Sequence, residues 1–502
     1  MPNPWGVIRL TTAAFILAAL PAEADAQKTP DTALPCDGAH EDLELAISAV
    51  EAAIPNLYWH QTRAQWEAAK AVARAQLPGV HDSEALWRIL RPLVSQIGEG
   101  HLGVQLSDAM NARYREALRF PLDLLWTQQG AFVLAGHGTA ADIPKGARLV
   151  SIDGVGEEEL LRAMVSVTPH DGVIETGVMR TISERGFAMY LYRLWGERAR
   201  FHVVLDTPGG RIDRVVGAVP RAARPPEGDD PPPMPTLEWL GDHTAYLNVP
   251  TFSNARFRKA GATFPQAIHD VFVEIAKRGA TDVILDLREN GGGSEPNESI
   301  LFSYLVEKPL HKYAAVTARE RHIAVTSLSG RTFETDVFED DDVDQQRSLA
   351  NGRVARRNTP PHGLMSRWTS FAPIFHGRLV VLAGGNTFSG GAELASMLRH
   401  TNRAVFVGEE VGGADEGNTS GYSWKVELPN SGMKLGIPLL QFRMAWSSRP
   451  HGRGVRPDCP ASPEAASVGE HRDRAWREAV ALLRQDWRSP RQAVCTTKLR
   501  ER

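Results

Sequence analysis

Cysteine is scarce in this chain of 502 residues, which contains only Cys36, Cys459 and Cys495. Three cysteines are too few for a disulfide framework, and none of their spacings is the C-x-x-C of a zinc or redox motif. One disulfide is expected in an oxidising compartment, and the sequence leaves open which two cysteines form it.

An excess of charge of either sign is also lacking. The chain has 56 lysines and arginines against 60 aspartates and glutamates, and its formal net charge is −4. Proteins that bind nucleic acid carry clustered positive charge, so we expect neither nucleic acid nor an anionic membrane as a partner. The acidic run at 339–342, with Asp344, lacks the ligand spacing of a calcium loop and is expected to be a solvated surface loop.

No apolar run reaches the roughly 20 residues that a membrane-spanning helix needs. The run at 10–20 follows Arg9 and precedes Ala24-Asp25-Ala26. A basic start, a short apolar stretch and a small-residue cleavage site are typical of a secretory signal peptide. We therefore expect residues 1–26 to be removed and the mature protein to be periplasmic or secreted, without a membrane span. A buried N-terminal helix is the alternative interpretation.

The length exceeds what one hydrophobic core usually holds, so two or three domains are expected. Apolar residues at helical spacing predict a helical N-terminal domain over 38–106. Short apolar runs separated by turns predict a β-rich module over 116–218. Seven prolines in 16 residues predict an extended linker over 219–235.

From 236 to 465 the pattern alternates between helices and strands, which predicts an α/β domain. Residues 466–502 are expected to form a C-terminal helical tail. The α/β region includes a predicted helix ending at Gly279, strands at 283–287, 379–383 and 404–407, and a helix at 392–400.

Ser389 is the strongest candidate for a nucleophile. It lies between a predicted buried strand and a helix start, where a hydroxyl is exposed and backbone N–H groups point at a developing oxyanion. The alternative is that Ser389 only caps the helix, a common role for serine at this position. The second glycine-rich segment, 291–293, offers further unhindered amides after a strand, although it could also be a plain turn.

A nucleophilic serine needs a base, which is most often histidine, and His101 on its glycine-rich loop is the leading candidate. Residues 98–103 also read as G-x-G-x-x-G, but a dinucleotide site requires a strand before this motif and a helix after it. Here the order is reversed. The α/β-hydrolase elbow is excluded as well, because it requires glycine where Thr387 stands and a histidine after the serine.

Five segments, in the same order, resemble motifs of the C-terminal processing and tricorn-like serine peptidases. Residues 286–293 resemble the DLRxNxGG segment, and 387–393 resemble the nucleophile segment, with glutamate four residues after the serine. Residues 98–101 look like the GDGH motif of the tricorn-like branch. Residues 407–413 and 452–458 resemble two further family segments.

This resemblance implies an α/β multidomain protein whose catalytic domain has the crotonase-like, Clp-protease-like ββα superhelix. It also implies a helical N-terminal domain and a PDZ-like module at 116–218. Ser389 would be the nucleophile, and the amides of Gly292 and Gly390 would be the oxyanion donors. No metal and no organic cofactor is implied, and the expected partner is a peptide or protein substrate.

Two positions depart from the family pattern. Members with a Ser-Lys dyad carry the lysine where Ala414 stands here, so a His base, as in the tricorn-like branch, fits better. That branch has a glutamate shortly before its GVxPD segment, where His451 is the nearest match, so the residue that orients His101 is left unassigned. The expected function is a serine peptidase acting by acyl transfer. The alternatives are a non-catalytic protein that binds peptides or apolar small molecules, and a small-substrate esterase.

Overall fold

A computed structural model describes most of the chain. The predicted signal peptide, Cys36, most of the linker and the acidic run at 339–342 lie outside the described residues. The described residues are 33–35, 37–221, 234–338, 346–357, 364–447, 450–467 and 472–496.

Helices and strands are mixed along the chain, which is an α/β structure with several sheets. The helices are α1 Gly38–Ala53, α2 Arg63–Ala75, α3 Ser83–Ser95, α4 Asp108–Glu116, α5 Glu157–Val167, α6 Thr176–Thr181, α7 Gly186–Trp195, α8 Asn254–Lys259, α9 Phe264–Lys277, α10 Asn297–Ser303, α11 Gly390–His400 and α12 Arg474–Leu483. The strands are β1 Gly103–Gln105, β2 Leu122–Thr127, β3 Gly130–Gly136, β4 Arg148–Ile152, β5 Val155–Gly156, β6 Arg200–Thr207, β7 Gly210–Gly217, β8 Thr236–Trp239, β9 Thr244–Asn248, β10 Asp282–Asp286, β11 Leu310–His311, β12 Tyr313–Ala318, β13 His322–Thr326, β14 Thr332–Asp336, β15 Gln346–Ser348, β16 Val354–Arg356, β17 Arg367–Trp368, β18 Arg378–Ala383, β19 Val405–Gly408, β20 Gly417–Glu427, β21 Lys434–Met444 and β22 Cys459–Pro460.

The first helices form where apolar residues recur at helical spacing. Leu43, Ile47 and Val50 on α1 are buried, because residues three and four apart share one face of a helix. Asp82 precedes α3 and its carboxylate accepts a hydrogen bond from the Ala85 amide at 2.7 Å. Aspartate is one of the residues preferred at the N-cap of a helix.

A six-stranded antiparallel sheet occupies 122–217, in the order β2-β3-β4-β6-β7 with β5 paired to β4. A tight turn joins β4 to β5, and both of its central residues have positive φ, 49° at Asp153 and 80° at Gly154. Asparagine, aspartate and glycine are the residues that tolerate this conformation.

The central sheet has the order β22-β19-β18-β10-β9-β8. Within this sheet β9, β10, β18, β19 and β22 run parallel to one another. Strand β10 and the body of β18 are buried. The carboxyl ends of parallel strands lie at one edge of a sheet, where open α/β sheets bind their ligands. At this edge β10 leads into the loop at 287–296 and β18 leads into the loop at 384–389, so the two glycine-rich segments are neighbours.

A third sheet brings the short strand after the His101 loop together with strands from residues 313–444. Its order is β1-β21-β12-β16-β15, with β20 also paired to β21. The short strand β1 pairs with β21 in antiparallel register, Gly103 opposite Gly436. Because β1 begins two residues after His101, this pairing holds the His101 loop against the sheet built from residues 313–444.

The end of the chain is tied to the central sheet by a disulfide. Cys459 on β22 and Cys495 are bonded at 2.06 Å, which resolves the pairing that the sequence left open. Among the described residues, no helix has both the length and the apolar character needed to cross a membrane.

Candidate active site

Ser389 stands in a strained turn between β18 and α11. Its φ is 52° and its ψ is −126°, a conformation that side-chain-bearing residues rarely adopt and that persists only where the surroundings hold it. Ser389 occupies the N-cap position of α11, yet its side chain makes no capping hydrogen bond. The capping interpretation therefore does not account for this serine. Strained backbone of this kind clusters at functional sites.

Hydrogen bonds fix the turn to the neighbouring loop. The Thr387 hydroxyl donates to the Leu287 carbonyl at 2.7 Å and accepts from the Gly384 amide at 3.0 Å. The Phe388 amide donates to the Asn290 carbonyl at 3.0 Å. The two glycine-rich segments are thus held as one unit at the edge of the sheet.

Glycine is required where these two segments touch. A Cβ on Gly292 would lie 2.7 Å from the Ser389 Cβ and 2.7 Å from the Gly390 nitrogen. A Cβ on Gly391 would lie 2.3 Å from the Asn290 carbonyl oxygen. Close packing of the segments also explains why α11 begins at Gly390, two residues before the predicted start, with glycine at both first positions.

The two predicted oxyanion donors lie beside Ser389 but differ in what their amides bind. The Gly390 amide is the first of α11 and donates to no acceptor among the described residues, as is usual in the first turn of a helix. The Gly292 amide donates to the Asn290 side-chain oxygen at 2.9 Å. The next amide, that of Gly293, donates to no acceptor within the described parts of the chain.

His101 is brought to the residue that precedes Ser389. Its ring packs on Phe388 with the ring centroids 4.7 Å apart and the planes inclined by 33°. A Cβ on Gly100 would lie 2.6 Å from the tip of the Phe388 ring, so the whole loop is packed against this aromatic side chain. No hydrogen bond joins His101 to Ser389 in the described structure, and apo active sites often tighten only with substrate bound.

The surroundings of His101 favour its neutral form. Burial lowers the pKa of His101 to about 4, while the charge of Glu393 acts in the opposite direction. Its Nδ1 is buried and has no hydrogen-bond partner among the described residues. A histidine in this state is deprotonated near neutral pH, as a general base must be.

Two buried carboxyl groups support the His101 loop, and neither was singled out from the sequence. Asp171 accepts from the Gly100 amide at 2.7 Å and from the Ala414 amide at 3.2 Å. Glu99 accepts from the Thr419 amide at 3.1 Å and from the Thr419 hydroxyl at 2.8 Å. Burial raises the pKa of Asp171 to about 6. Burial, with the charge of Asp171, raises the pKa of Glu99 to about 8.

A buried ion cluster lies behind the Ser389 turn and was not expected from the sequence. The Lys312 ammonium lies 2.6 Å from both Glu298 and Glu393, and Asn418 donates to Glu393 at 2.9 Å. Burial alone would lower the pKa of Lys312, but the surrounding carboxylates raise it well above its ordinary value. Lys312 is therefore a fixed cation, whereas a lysine base needs a lowered pKa.

Ala414 and His451 stand at the two positions where this chain departs from the family motifs. Ala414, at the place of the dyad lysine, is buried. His451, at the place of the family glutamate, pairs with Glu416, and its Nε2 donates to the Trp59 carbonyl at 2.8 Å. Neither contact of His451 involves His101.

Comparison with known proteins gives one family and a set of similar structures. Residues 243–461 match the sequence model of Peptidase family S41. Mature CPAF has a TM-score of 0.60 and 15% identity over 89% of this chain and 96% of its own, and CPAF complexed with lactacystin has the same score and identity, over 89% and 97%. The photosystem II D1 C-terminal processing protease has a TM-score of 0.40 and 15% identity, over 87% and 98%. No curated protein sequence matches.

Proposed function

We propose that this chain, which is a serine-type peptidase of family S41, the C-terminal processing and tricorn-like peptidases, hydrolyses peptide bonds by acyl transfer through Ser389. The observation that carries the proposal is the strained turn of Ser389 at the start of α11, with φ at 52° and the His101 ring packed, at a tilt of 33°, on the adjoining Phe388.

In the proposed reaction the Ser389 oxygen attacks the carbonyl carbon of the scissile peptide, and His101 accepts the hydroxyl proton. The tetrahedral intermediate then collapses, and His101 returns the proton to the departing amine. Water attacks the acyl-enzyme, again with His101 as the base, and releases the acid product and free Ser389.

His101 is suited to this role by its environment. Burial lowers the pKa of His101 to about 4, which keeps the imidazole neutral and able to accept a proton. Glu393, four residues after the nucleophile, is the anionic group that raises this pKa and so stabilises the imidazolium formed during the reaction. In this proposal the buried Lys312 cluster holds Glu393 ionised and in place.

The oxyanion would be stabilised by backbone amides from both loops. Gly390 supplies one N–H from the start of α11, where the helix dipole also favours negative charge. In this proposal Gly292 is the second donor. Its N–H, which donates to the Asn290 side-chain oxygen, would be shared between that oxygen and the oxyanion. The Gly293 amide is the alternative second donor.

The sequence-based organisation remains part of the proposal. It comprises a helical N-terminal domain, a PDZ-like module at 116–218, a crotonase-like catalytic domain around the parallel central sheet, and a C-terminal tail that carries α12. Export is supported by the disulfide between Cys459 and Cys495, because such bonds persist in oxidising compartments. The domain bounds are those predicted from the sequence.

Labelling with a serine-directed fluorophosphonate tests the nucleophile. We expect one adduct in the wild type, on Ser389 by peptide mapping, and none in Ser389→Ala. Ser423→Ala removes an exposed serine from β20 and should label like the wild type. An unlabelled wild type, or a labelled Ser389→Ala, would refute the assignment.

A second measurement tests the substrate class. The wild type should cleave a denatured protein substrate, and Ser389→Ala should not. Turnover of small esters without any cleavage of protein or peptide would instead identify an esterase. Lactacystin, with which CPAF forms a complex, should block labelling if it reaches the same serine.

A further inference from the structure

Three side chains that are far apart in sequence meet beside the His101 loop. His60 comes from the connection between α1 and α2, Glu416 directly precedes β20, and His451 follows β21. One donor atom from each of the three lies within 4.8 Å of the others. We propose that His60, Glu416 and His451 form a binding site for a divalent transition-metal ion, for which Zn²⁺ is the best-suited candidate.

The contacts of His451 match those of a metal-ligating histidine. Its Nε2 lies 2.8 Å from the Trp59 carbonyl, and because a carbonyl only accepts, this nitrogen carries the proton. A metal-bound histidine characteristically donates its other ring N–H to a carbonyl or carboxylate in this way. The Nδ1 that remains faces the Glu416 oxygen at 2.7 Å.

At this distance a proton or a metal ion must lie between the two atoms, because otherwise two lone pairs would face each other. The same Glu416 oxygen also accepts from the Gly452 amide at 2.7 Å. A metal ion in this position would bind both side chains in the deprotonated forms that coordination needs.

His60 supplies the third donor. Its Nδ1 is buried and has no hydrogen-bond partner among the described residues. This nitrogen lies next to Gly452, on which a Cβ would stand 3.4 Å away. A buried ring nitrogen without a partner is a polar atom that coordination would satisfy.

Two imidazoles and one carboxylate suit zinc, which binds such ligands at about 2.0–2.2 Å and leaves a fourth position for water. His451 is half exposed, so an ion can enter from solvent. A second cluster near the active site consists of Glu295, Glu298 and Glu393. This cluster already surrounds the Lys312 ammonium, so it needs no metal.

Metal binding would brace the His101 loop. The His60 Cβ is so close to Gly98 that a Cβ there would stand 3.0 Å from it, and Gly98 begins the segment that carries His101. The ion would therefore connect the first helices of the chain to the two segments that bear Glu416 and His451.

The test is calorimetric titration of the chelator-treated, full-length protein with Zn²⁺. We expect one ion per chain, with affinity at least about ten-fold weaker in His60→Ala and in His451→Ala, since even outer partners of metal ligands contribute 10- to 100-fold. His376→Ala is the matched control, because His376 also pairs with a glutamate at 2.7 Å but on the surface. It should bind like the wild type.

Cobalt(II) absorption provides a second readout that needs no activity. An intense visible band of four-coordinate cobalt is expected in the wild type and in Ser389→Ala, so the result is independent of the proposed nucleophile. Absence of stoichiometric zinc binding in the wild type would overturn the proposal and leave a proton shared between His451 and Glu416. Equal affinity in wild type, His60→Ala and His451→Ala would overturn it too. Circular dichroism of each variant checks that it is folded.

Discussion

Replacing Glu99 with glutamine should remove a large part of the pH dependence of stability. Burial and the charge of Asp171 raise the pKa of Glu99 from its ordinary value of 4.5 to about 8. Folding thus makes Glu99 hold its proton more tightly. Below about pH 4.5 the carboxyl is protonated in both states, and above about pH 8 it is ionised in both.

Between these limits the folded protein binds more protons than the unfolded chain, so stability falls as the pH rises. At about 1.36 kcal/mol per pKa unit, the loss from this carboxyl between pH 5 and 8 is roughly 4 kcal/mol. Glutamine does not ionise; its oxygen can accept from the Thr419 amide, and its NH2 group can donate to the Thr419 hydroxyl. The free energy of unfolding of Glu99→Gln should therefore lack this loss.

Thermal unfolding at a series of pH values from 5 to 8 measures the effect. The difference in Tm between wild type and Glu99→Gln should change by roughly 8 °C across this range, at about 2 °C per kcal/mol for a protein of this size. Any loss of packing caused by the substitution lowers Tm equally at every pH, so it does not affect the change in the Tm difference with pH. Glu427→Gln, an exposed carboxyl on β20, is the control and should parallel the wild type. Parallel curves for Glu99→Gln and wild type would refute the reasoning.

Two further predictions concern the active site. Since burial lowers the pKa of His101 to about 4, kcat/KM of the wild type should rise with pH around pH 4 instead of near 6.5. His101→Ala should lose this rise, and its turnover should fall by at least about 10²-fold. Lys425→Ala is the control and should stay active. A pH rise that survives in His101→Ala would exclude this base. Gly391→Ala places a Cβ 2.3 Å from the Asn290 carbonyl oxygen. The substitution should lower the free energy of unfolding by about 1–3 kcal/mol, which urea unfolding measures. It should also remove most of the activity, which peptide turnover measures. Gly291→Ala, where a Cβ meets nothing within 4 Å, is its control, and equal effects of the two would contradict the packing argument.

Features set by adjoining residues were predictable from the sequence. The strand before Ser389 and the helix after it follow from a short apolar run and helical spacing, and the structure has them as β18 and α11. The predicted helix start was two residues late, because paired glycines are typical of a loop unless a close neighbour requires them. Here the Asn290 carbonyl is that neighbour.

Features that depend on contacts between distant segments could not be predicted. Glu99 and Thr419 are separated by 320 residues, and no local pattern marks either as a partner of the other. Lys312 reads as an ordinary surface lysine, and only the fold shows that it is buried between carboxylates. His60 likewise carries no sequence signal, since its neighbours Glu416 and His451 are supplied by remote loops.

The three-residue strand β1 pairs with a strand that is synthesised much later. His101 is synthesised 288 residues before Ser389, and β21, which receives β1, ends only at Met444. A growing chain therefore contains the proposed base before it contains either the proposed nucleophile or the strand that pairs with β1. The proposed pair of His101 and Ser389 can be assembled only after residues 434–444 have been made, so shorter nascent chains lack the arrangement that the proposed reaction needs.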